Sequence, residues 1–316
     1  MRWIVLAIFA LSALYVHLRG RVRHPFFRQL FDHSSLMAPI NCFAYAFSGV
    51  PTTPFLPASD FPELASLRAE WKTIRDEAIA MRDGARIKAS SQYDDIGFNS
   101  FFRDGWKRFY LKWYGAAHPS ALAACPKTCE VLRKIPSVKA AMFAELPPGS
   151  RLGRHRDPFA GSLRYHLGLV TANDPACYLD VDGERYYWRD GEDVVFDETY
   201  LHYAENKTGV DRIILFCDVE RPMRFAPARW LNKAVAAILM RAAASPNETG
   251  DRTGGLNRAF GYLYQVRLVG KRIKAWNRRV YYTLKWSIYA AIALAIFWRD
   301  VMALPHLISM VLARIA

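Results

Sequence analysis

The chain has 316 residues, enough for one large domain or two small ones, and its 52 % hydrophobic and 23 % charged content excludes extended disorder. A formal net charge of +14 points to anionic partners, whether nucleic acid, phosphorylated lipid or acidic membrane. Five cysteines, Cys42, Cys125, Cys129, Cys177 and Cys217, show no strong metal-binding spacing, and a reducing compartment accounts for them most simply.

The chain opens on a nearly all-apolar run, WIVLAIFALSALYVHL at residues 3–18. It sits at the short limit of the roughly 17–25 residues that cross a bilayer as a helix. No small-x-small cleavage site follows; Arg19, Arg21 and Arg23 come instead. Residues 1–24 therefore read as an uncleaved anchor whose basic flank keeps the main domain on the cytoplasmic side. A buried core helix is the competing reading. Residues 25–135 read as a membrane-proximal and mainly helical segment. Within it, 36–50 is apolar enough to touch a membrane surface. Residues 63–81 carry Leu64, Leu67, Trp71, Ile74 and Ile79 at helical spacing. The aromatic stretch 93–114 suits core filling slightly better than cleft lining.

From 136 to 222 the texture changes to short strand-like runs separated by turn signals, at 140–146, 162–171, 177–181, 185–188, 194–196, 201–206 and 212–219. Asp182-Gly183 marks a hairpin. Cys177 and Cys217 fall in these runs and read as small core residues. The expected architecture is α+β: a jelly roll, in double-stranded β-helix form, with flanking helices and terminal membrane helices. Residues 223–279 read as a basic helical linker with a polar loop at 245–255. Its end holds Arg267, Lys271, Arg272, Lys274, Arg278 and Arg279 and no acidic residue. Residues 280–316 read as a C-terminal membrane segment: 280–298 is apolar but for Lys285, and 301–316 suits a further membrane-lying helix whose form Pro305 leaves open. The densest basic run adjoins this apolar span, so nucleic-acid binding is set aside as the main role.

One constellation in the strand-rich region carries chemistry. His155 and Asp157 follow a Pro-Pro-Gly turn, His202 comes late in the same region, and Arg212 stands ten residues further on. Two imidazoles and one carboxylate can hold one face of an octahedral Fe(II), leaving positions for a chelating co-substrate and O2. A planar guanidinium can grip the far carboxylate of 2-oxoglutarate through two hydrogen bonds. The alternative is a metal-free sandwich in which Asp157 and Arg154 form a surface ion pair.

The run SLRYHLGL at 162–169, with His155 upstream and FDETYLH at 196–202 and RIILF at 212–216 downstream, resembles the aspartyl/asparaginyl β-hydroxylase family. These are Fe(II)/2-oxoglutarate dioxygenases with a double-stranded β-helix, and the resemblance covers roughly 60–222. HSSLMAPIN from residue 33, GWKRFYLKWY at 105–114, ELPPGSRLGRHRDPFAGSLRYHLGL at 145–169 and AAASPNETGD at 242–251 are similar to a bacterial branch that 2-hydroxylates a secondary acyl chain of lipid A. The resemblance implies His155 and His202 as iron ligands and Arg212 as the partner of the distal 2-oxoglutarate carboxylate. It implies His166 as a second co-substrate contact. Arg164, grouped with these two, matches a basic residue near the substrate in the protein-hydroxylating branch. The animal branch has glycine where this chain has Asp157, so the third ligand is argued from donor chemistry and bacterial similarity. Ala144 stands where that branch has a serine near the co-substrate. The expected partner is lipid A or a related anionic lipid of the bacterial inner membrane. A protein Asp/Asn hydroxylase and a non-catalytic membrane lipid-binding protein are the alternatives.

Overall fold

Two-residue alternation along the strand-rich region becomes a pair of facing sheets. The structure, a computed structural model, describes residues 2–89 and 95–315, so the first two residues of the aromatic stretch lie outside the described residues. Residues 1–260 form one unit and residues 261–316 a second. In the first, the strands are β1 (Phe55–Leu56), β2 (Lys107–Trp113), β3 (Val138–Leu146), β4 (Arg151–His155), β5 (Ser162–Val170), β6 (Cys177–Val181), β7 (Glu184–Tyr187), β8 (Asp193–Phe196), β9 (His202–Asn206) and β10 (Arg212–Glu220). They form a six-stranded sheet, β1-β8-β5-β10-β3-β2, and a four-stranded sheet, β4-β9-β6-β7. All the pairings are antiparallel.

Strand β10 shows how the layers are built. Ile213, Leu215, Cys217 and Val219 point to one face, where they pack in a cluster with Leu67, Ile74, Ala78 and Leu132 of the covering helices. Ile214 and Phe216 point to the other, against Leu179, Val181 and Ala204 of the smaller sheet. The expected α+β jelly roll is the observed fold. Asp182 and Gly183, at φ +57° and +89°, make the tight turn between β6 and β7.

The seven expected strands form, with ends shifted by no more than two residues. Three more were not expected. β2 lies in the region read as helical; it buries Phe109 and Leu111 on one face and Tyr110 and Trp113 on the other, so it lacks the polar alternation that marks a half-buried strand. β4 is polar and largely exposed, with a glycine at its centre, and shows no apolar face. β1 has only two residues. The single helix expected over 63–81 is instead a 3-10 turn (Pro62–Leu64), α5 (Ala65–Ala69) and α6 (Trp71–Asp83). The break falls at Glu70 (φ −92°, ψ 13°), whose carboxylate accepts from the Thr73 hydroxyl at the start of α6.

The N-terminal helices are α1 (Arg2–Leu18), α2 (Phe26–Leu30), α3 (His33–Leu36) and α4 (Ala38–Ala46). Most apolar side chains of α1 are exposed, but Val16 near its end packs with Ala38, Ala44 and Tyr45 of α4. The 36–50 segment is thus partly used inside the protein, as a cradle for α1. Arg19 is not the free flanking charge that the run suggests. It is buried, 2.6 Å from Asp197, bonded to Thr199 Oγ1 at 2.8 Å, and held between the rings of Tyr45 and Tyr200 at 3.9 and 3.8 Å. Arg221 meets the same carboxylate at 2.8 Å. Asp197→Ala would strand two buried guanidinium groups and is expected to lower unfolding free energy by about 3–5 kcal/mol, read from urea denaturation.

The remaining helices of the first unit are α7 (Pro119–Ala124), α8 (Pro126–Arg133) and α9 (Ala226–Val235), followed by a π turn (Ala236–Met240) and a 3-10 turn (Arg241–Ala243). α10 (Gly255–Trp276) and α11 (Arg278–Ile315) follow. Within α11, the 21 residues Arg278–Trp298 are long and apolar enough to cross a membrane. The helix runs on through Pro305, so 301–315 continues α11 and is not a separate helix.

Candidate active site

The smaller sheet sets the two histidines side by side. β4 ends on His155, β9 begins on His202, and the two are register partners with ring centroids 4.2 Å apart. Each ring is oriented by the backbone two residues before it: His155 Nδ1 bonds the Gly153 carbonyl at 2.7 Å and His202 Nδ1 the Tyr200 carbonyl at 3.0 Å. A donating Nδ1–H leaves the Nε2 lone pair free. Just beyond β4, the Asp157 N–H donates to the Glu198 carbonyl at 2.9 Å, and its Oδ1 lies 3.6 Å from His155 Nε2. One donor atom from each of His155, Asp157 and His202 lies within 4.8 Å of the other two. Burial pushes the His155 imidazole below its usual value and that of His202 down to about 3, so both are neutral at physiological pH. Burial also opposes ionisation of Asp157, but the Arg164 guanidinium outweighs it and holds that carboxyl well below the usual range.

The larger sheet supplies the other wall. Inward positions of β5 carry Arg164 and His166, and Arg212 opens β10 on the same face as Ile214 and Phe216. All six expected residues line one cavity between the sheets. The Arg164 guanidinium contacts Asp157, Glu198 and Asp218 and lies 3.7 Å over the Phe216 ring. It is therefore committed to carboxylates, where the resemblance places it against the co-substrate or substrate. Asp157 pairs with Arg164 and not with Arg154, whose guanidinium sits 5.2 Å over Tyr203. Burial pushes the Glu198 carboxyl well up, with Arg164 pulling the other way, as expected where three carboxyls share one cation. Arg164→Met is expected to lower unfolding free energy by about 3 kcal/mol or more through the carboxylates left unpaired, measured by denaturant titration.

Two side chains in the cavity, His166 and Arg212, have no hydrogen-bond partner among the described residues. His166 is buried against Phe196 and Phe216, and neither ring nitrogen makes a hydrogen bond. Arg212 is 2 % exposed and lies 4.5 Å over the Trp188 ring. It makes no hydrogen bond or ion pair among the described residues, and its Nε is an orphan donor. Burial pushes it down to about 10, so it is still a cation at pH 7. A cation left unpaired in a dry pocket is costly unless a ligand supplies the anion.

Sequence reasoning gave no role to Glu198, although it lies within FDETYLH, nor to Asp218 and Trp188, which lie on or beside strands without forming a motif. The aromatic stretch does more than fill the core: Phe98, Phe101 and Trp106 wall the cavity, and the Phe101 ring is 4.7 Å from that of His155. A second, largely apolar groove of about 440 Å³ reaches outward from His155 and Asp157, between Met37, Phe101, Phe159, Leu239 and Met240.

The sequence pattern of the Aspartyl/Asparaginyl beta-hydroxylase family matches residues 68–222. The ornithine lipid ester-linked acyl 2-hydroxylase of Rhizobium tropici is 33 % identical over 195 residues, covering 60 % of this chain and 68 % of that one. The chain belongs to the aspartyl/asparaginyl β-hydroxylase family. Another relative in this hydroxylase family is the human aspartyl/asparaginyl beta-hydroxylase, 30 % identical over 162 residues, which cover 50 % of this chain and 21 % of the human one. Among solved structures, a Pseudomonas putida prolyl-4-hydroxylase aligns with a TM-score of 0.34 and 18 % identity, over 56 % of this chain and 95 % of that one.

Proposed function

We propose that the protein is an Fe(II)- and 2-oxoglutarate-dependent dioxygenase that hydroxylates C2 of a secondary acyl chain of lipid A. The observation that carries this reading is the pairing of a neutral-imidazole and carboxylate triad with a buried cation, Arg212, that has no hydrogen-bond or ion-pair partner among the described residues and lines the same cavity between the sheets. His155, Asp157 and His202 would hold iron, and Arg212 would receive the distal carboxylate of 2-oxoglutarate, with His166 as a further contact. When bound, iron, O2 and 2-oxoglutarate supply the oxidising power: the co-substrate leaves as succinate and carbon dioxide while a C–H becomes C–OH. The chain's own residues do the positioning. Arg164 keeps Asp157 ionised and turned towards the histidines, and the Gly153 and Tyr200 carbonyls set both imidazoles. Phe98, Phe101 and Trp106 keep water from the cavity.

The acyl substrate is supported by the apolar groove that ends at His155 and Asp157, and by the acyl chemistry in the name of the Rhizobium relative. The apolar helix Arg278–Trp298 and the exposed apolar side chains of α1 and α2, among them Phe26 and Phe27, suit a protein working at a membrane surface. We place it at the bacterial inner membrane with the catalytic unit on the cytoplasmic side, from the basic flanks of both apolar ends. A groove walled by Met37, Phe101, Phe159, Leu239 and Met240 fits an acyl chain better than the polar side chain of an Asp or Asn substrate. Mass spectrometry of lipid A from cells with and without the gene tests this, and the expected difference is one oxygen on one secondary chain. Unchanged lipid A, with a hydroxylated peptide in its place, would return the protein-hydroxylase reading.

A further inference from the structure

We infer that a basic hollow beside the acyl groove holds the phosphate of the lipid headgroup, an inference that rests on the acyl-lipid reading and extends it to the headgroup. The helical turns after α9 divide the two spaces. Leu239, Met240 and Ala243 line the apolar groove, whereas Ala237, Arg241 and Ala242 line a hollow of about 590 Å³. Trp113 borders both, and its Nε1–H donates to the Met240 carbonyl at 2.7 Å, fixing the partition. A lipid with one chain in the groove has the hollow next to it.

The hollow is built for negative charge. Arg241, Arg252 and Arg258 line it, and none has an ion-pair partner among the described residues; Arg258 donates only to the Thr253 carbonyl, at 3.2 Å. Its one carboxylate, Asp251, is already engaged. It accepts from the Ser120 N–H and hydroxyl at 3.1 and 2.6 Å, and from the Asn247 and Glu248 N–H groups at 3.0 and 3.2 Å. The 22-residue helix α10 starts at Gly255 on the same wall with no acidic residue in its first turn, so the positive end of its dipole faces the hollow uncompensated. His118, 2 % exposed, lines the hollow too; neither ring nitrogen makes a hydrogen bond, and Asp251 Oδ1 is 3.8 Å from Nδ1.

The local sequence explains how the loop is held. A Cβ on Gly254 would sit 2.0 Å from the Ala242 carbonyl oxygen, so only glycine lets the start of α10 close against the turn that carries Arg241. The stretch AAASPNETGD, which the catalytic cavity does not use, thus positions the hollow through Asp251 and presents Arg252 beside it. Three guanidinium groups and a helix start suit a phosphate dianion better than the single carboxylate of a zwitterionic headgroup.

The test uses the full chain in detergent, with phosphorylated lipid A and the same lipid after phosphatase treatment. Arg241→Gln/Arg252→Gln is expected to raise KM for the phosphorylated lipid about tenfold or more, with the effect on KM and not kcat, and to leave KM for the treated lipid unchanged. Thermal unfolding serves as the control for the fold. Equal KM for both lipids in the unsubstituted protein, or an unaltered KM in the variant, overturns the inference. If neither lipid is hydroxylated, the acyl-lipid reading fails and the hollow is judged by calorimetric titration with inorganic pyrophosphate. Binding that the variant loses upholds an anion site there; no binding overturns it.

Discussion

Arg212→Met is expected to raise the KM for 2-oxoglutarate by about a hundredfold or more while making the ligand-free protein harder to unfold. The two effects share one cause. The guanidinium is 2 % exposed, rests on the Trp188 ring and has no hydrogen-bond or ion-pair partner among the described residues. Two charge-assisted hydrogen bonds to a carboxylate contribute roughly 1.5–3 kcal/mol each, so their loss corresponds to a hundredfold or more in affinity. Without ligand, the same burial is a penalty, visible in a pKa pushed down to about 10. Methionine fills much of the space with no charge to desolvate. The gain in unfolding free energy is expected to be on the order of 1 kcal/mol or more. Co-substrate kinetics and denaturant titration on the same preparation read both signs. A purely structural Arg212 would give lower stability and an unchanged KM, which would remove the co-substrate assignment.

His202→Ala is expected to weaken Fe(II) binding by about a hundredfold or more and to abolish succinate release. Structural Zn²⁺ sites with four ligands, at about 10–16 kcal/mol in all, give a scale of roughly 3 kcal/mol for each ligand. The imidazole meets that need: it is neutral, since burial pushes it down to about 3, and its Nδ1 is tied to the Tyr200 carbonyl. Calorimetry with Fe(II) under anaerobic conditions measures the first effect and succinate assay the second. Alanine also vacates a buried position packed on His155 and Phe196, so some loss of stability accompanies the change. The double variant His155→Ala/His202→Ala separates the two outcomes. Succinate release that persists in it would mean the iron assignment is wrong.

Much of the site was legible because alternation is a local property. Ser162–Val170 and Arg212–Glu220 each read as strands, and counting by two puts Arg164 with His166 and Arg212 with Ile214 and Phe216. The histidines, Asp157 and Arg212 could be selected as donor types in one strand-rich region. The partners of these residues were not legible. Glu198 and Asp218 sit on different parts of the chain, and only sheet closure brings both to Arg164 beside Asp157. Arg19 looked like a membrane flank because its run is basic, and it reaches Asp197 only because α1 ends on the cradle of α4.

The amino-acid sequence by itself determined seven of the ten strands, the apolar ends and the chemical identity of the candidate site residues. Each depends on periodicity or composition over a few neighbouring positions. Tertiary structure alone decided that polar β4 pairs with β9 and so sets His155 against His202. It also decided that the Arg212 side chain has no hydrogen-bond or ion-pair partner among the described residues and that the turns after α9 part an apolar groove from a basic hollow. Those outcomes depend on registers between distant segments and on which charges burial leaves uncompensated, and no local pattern encodes either.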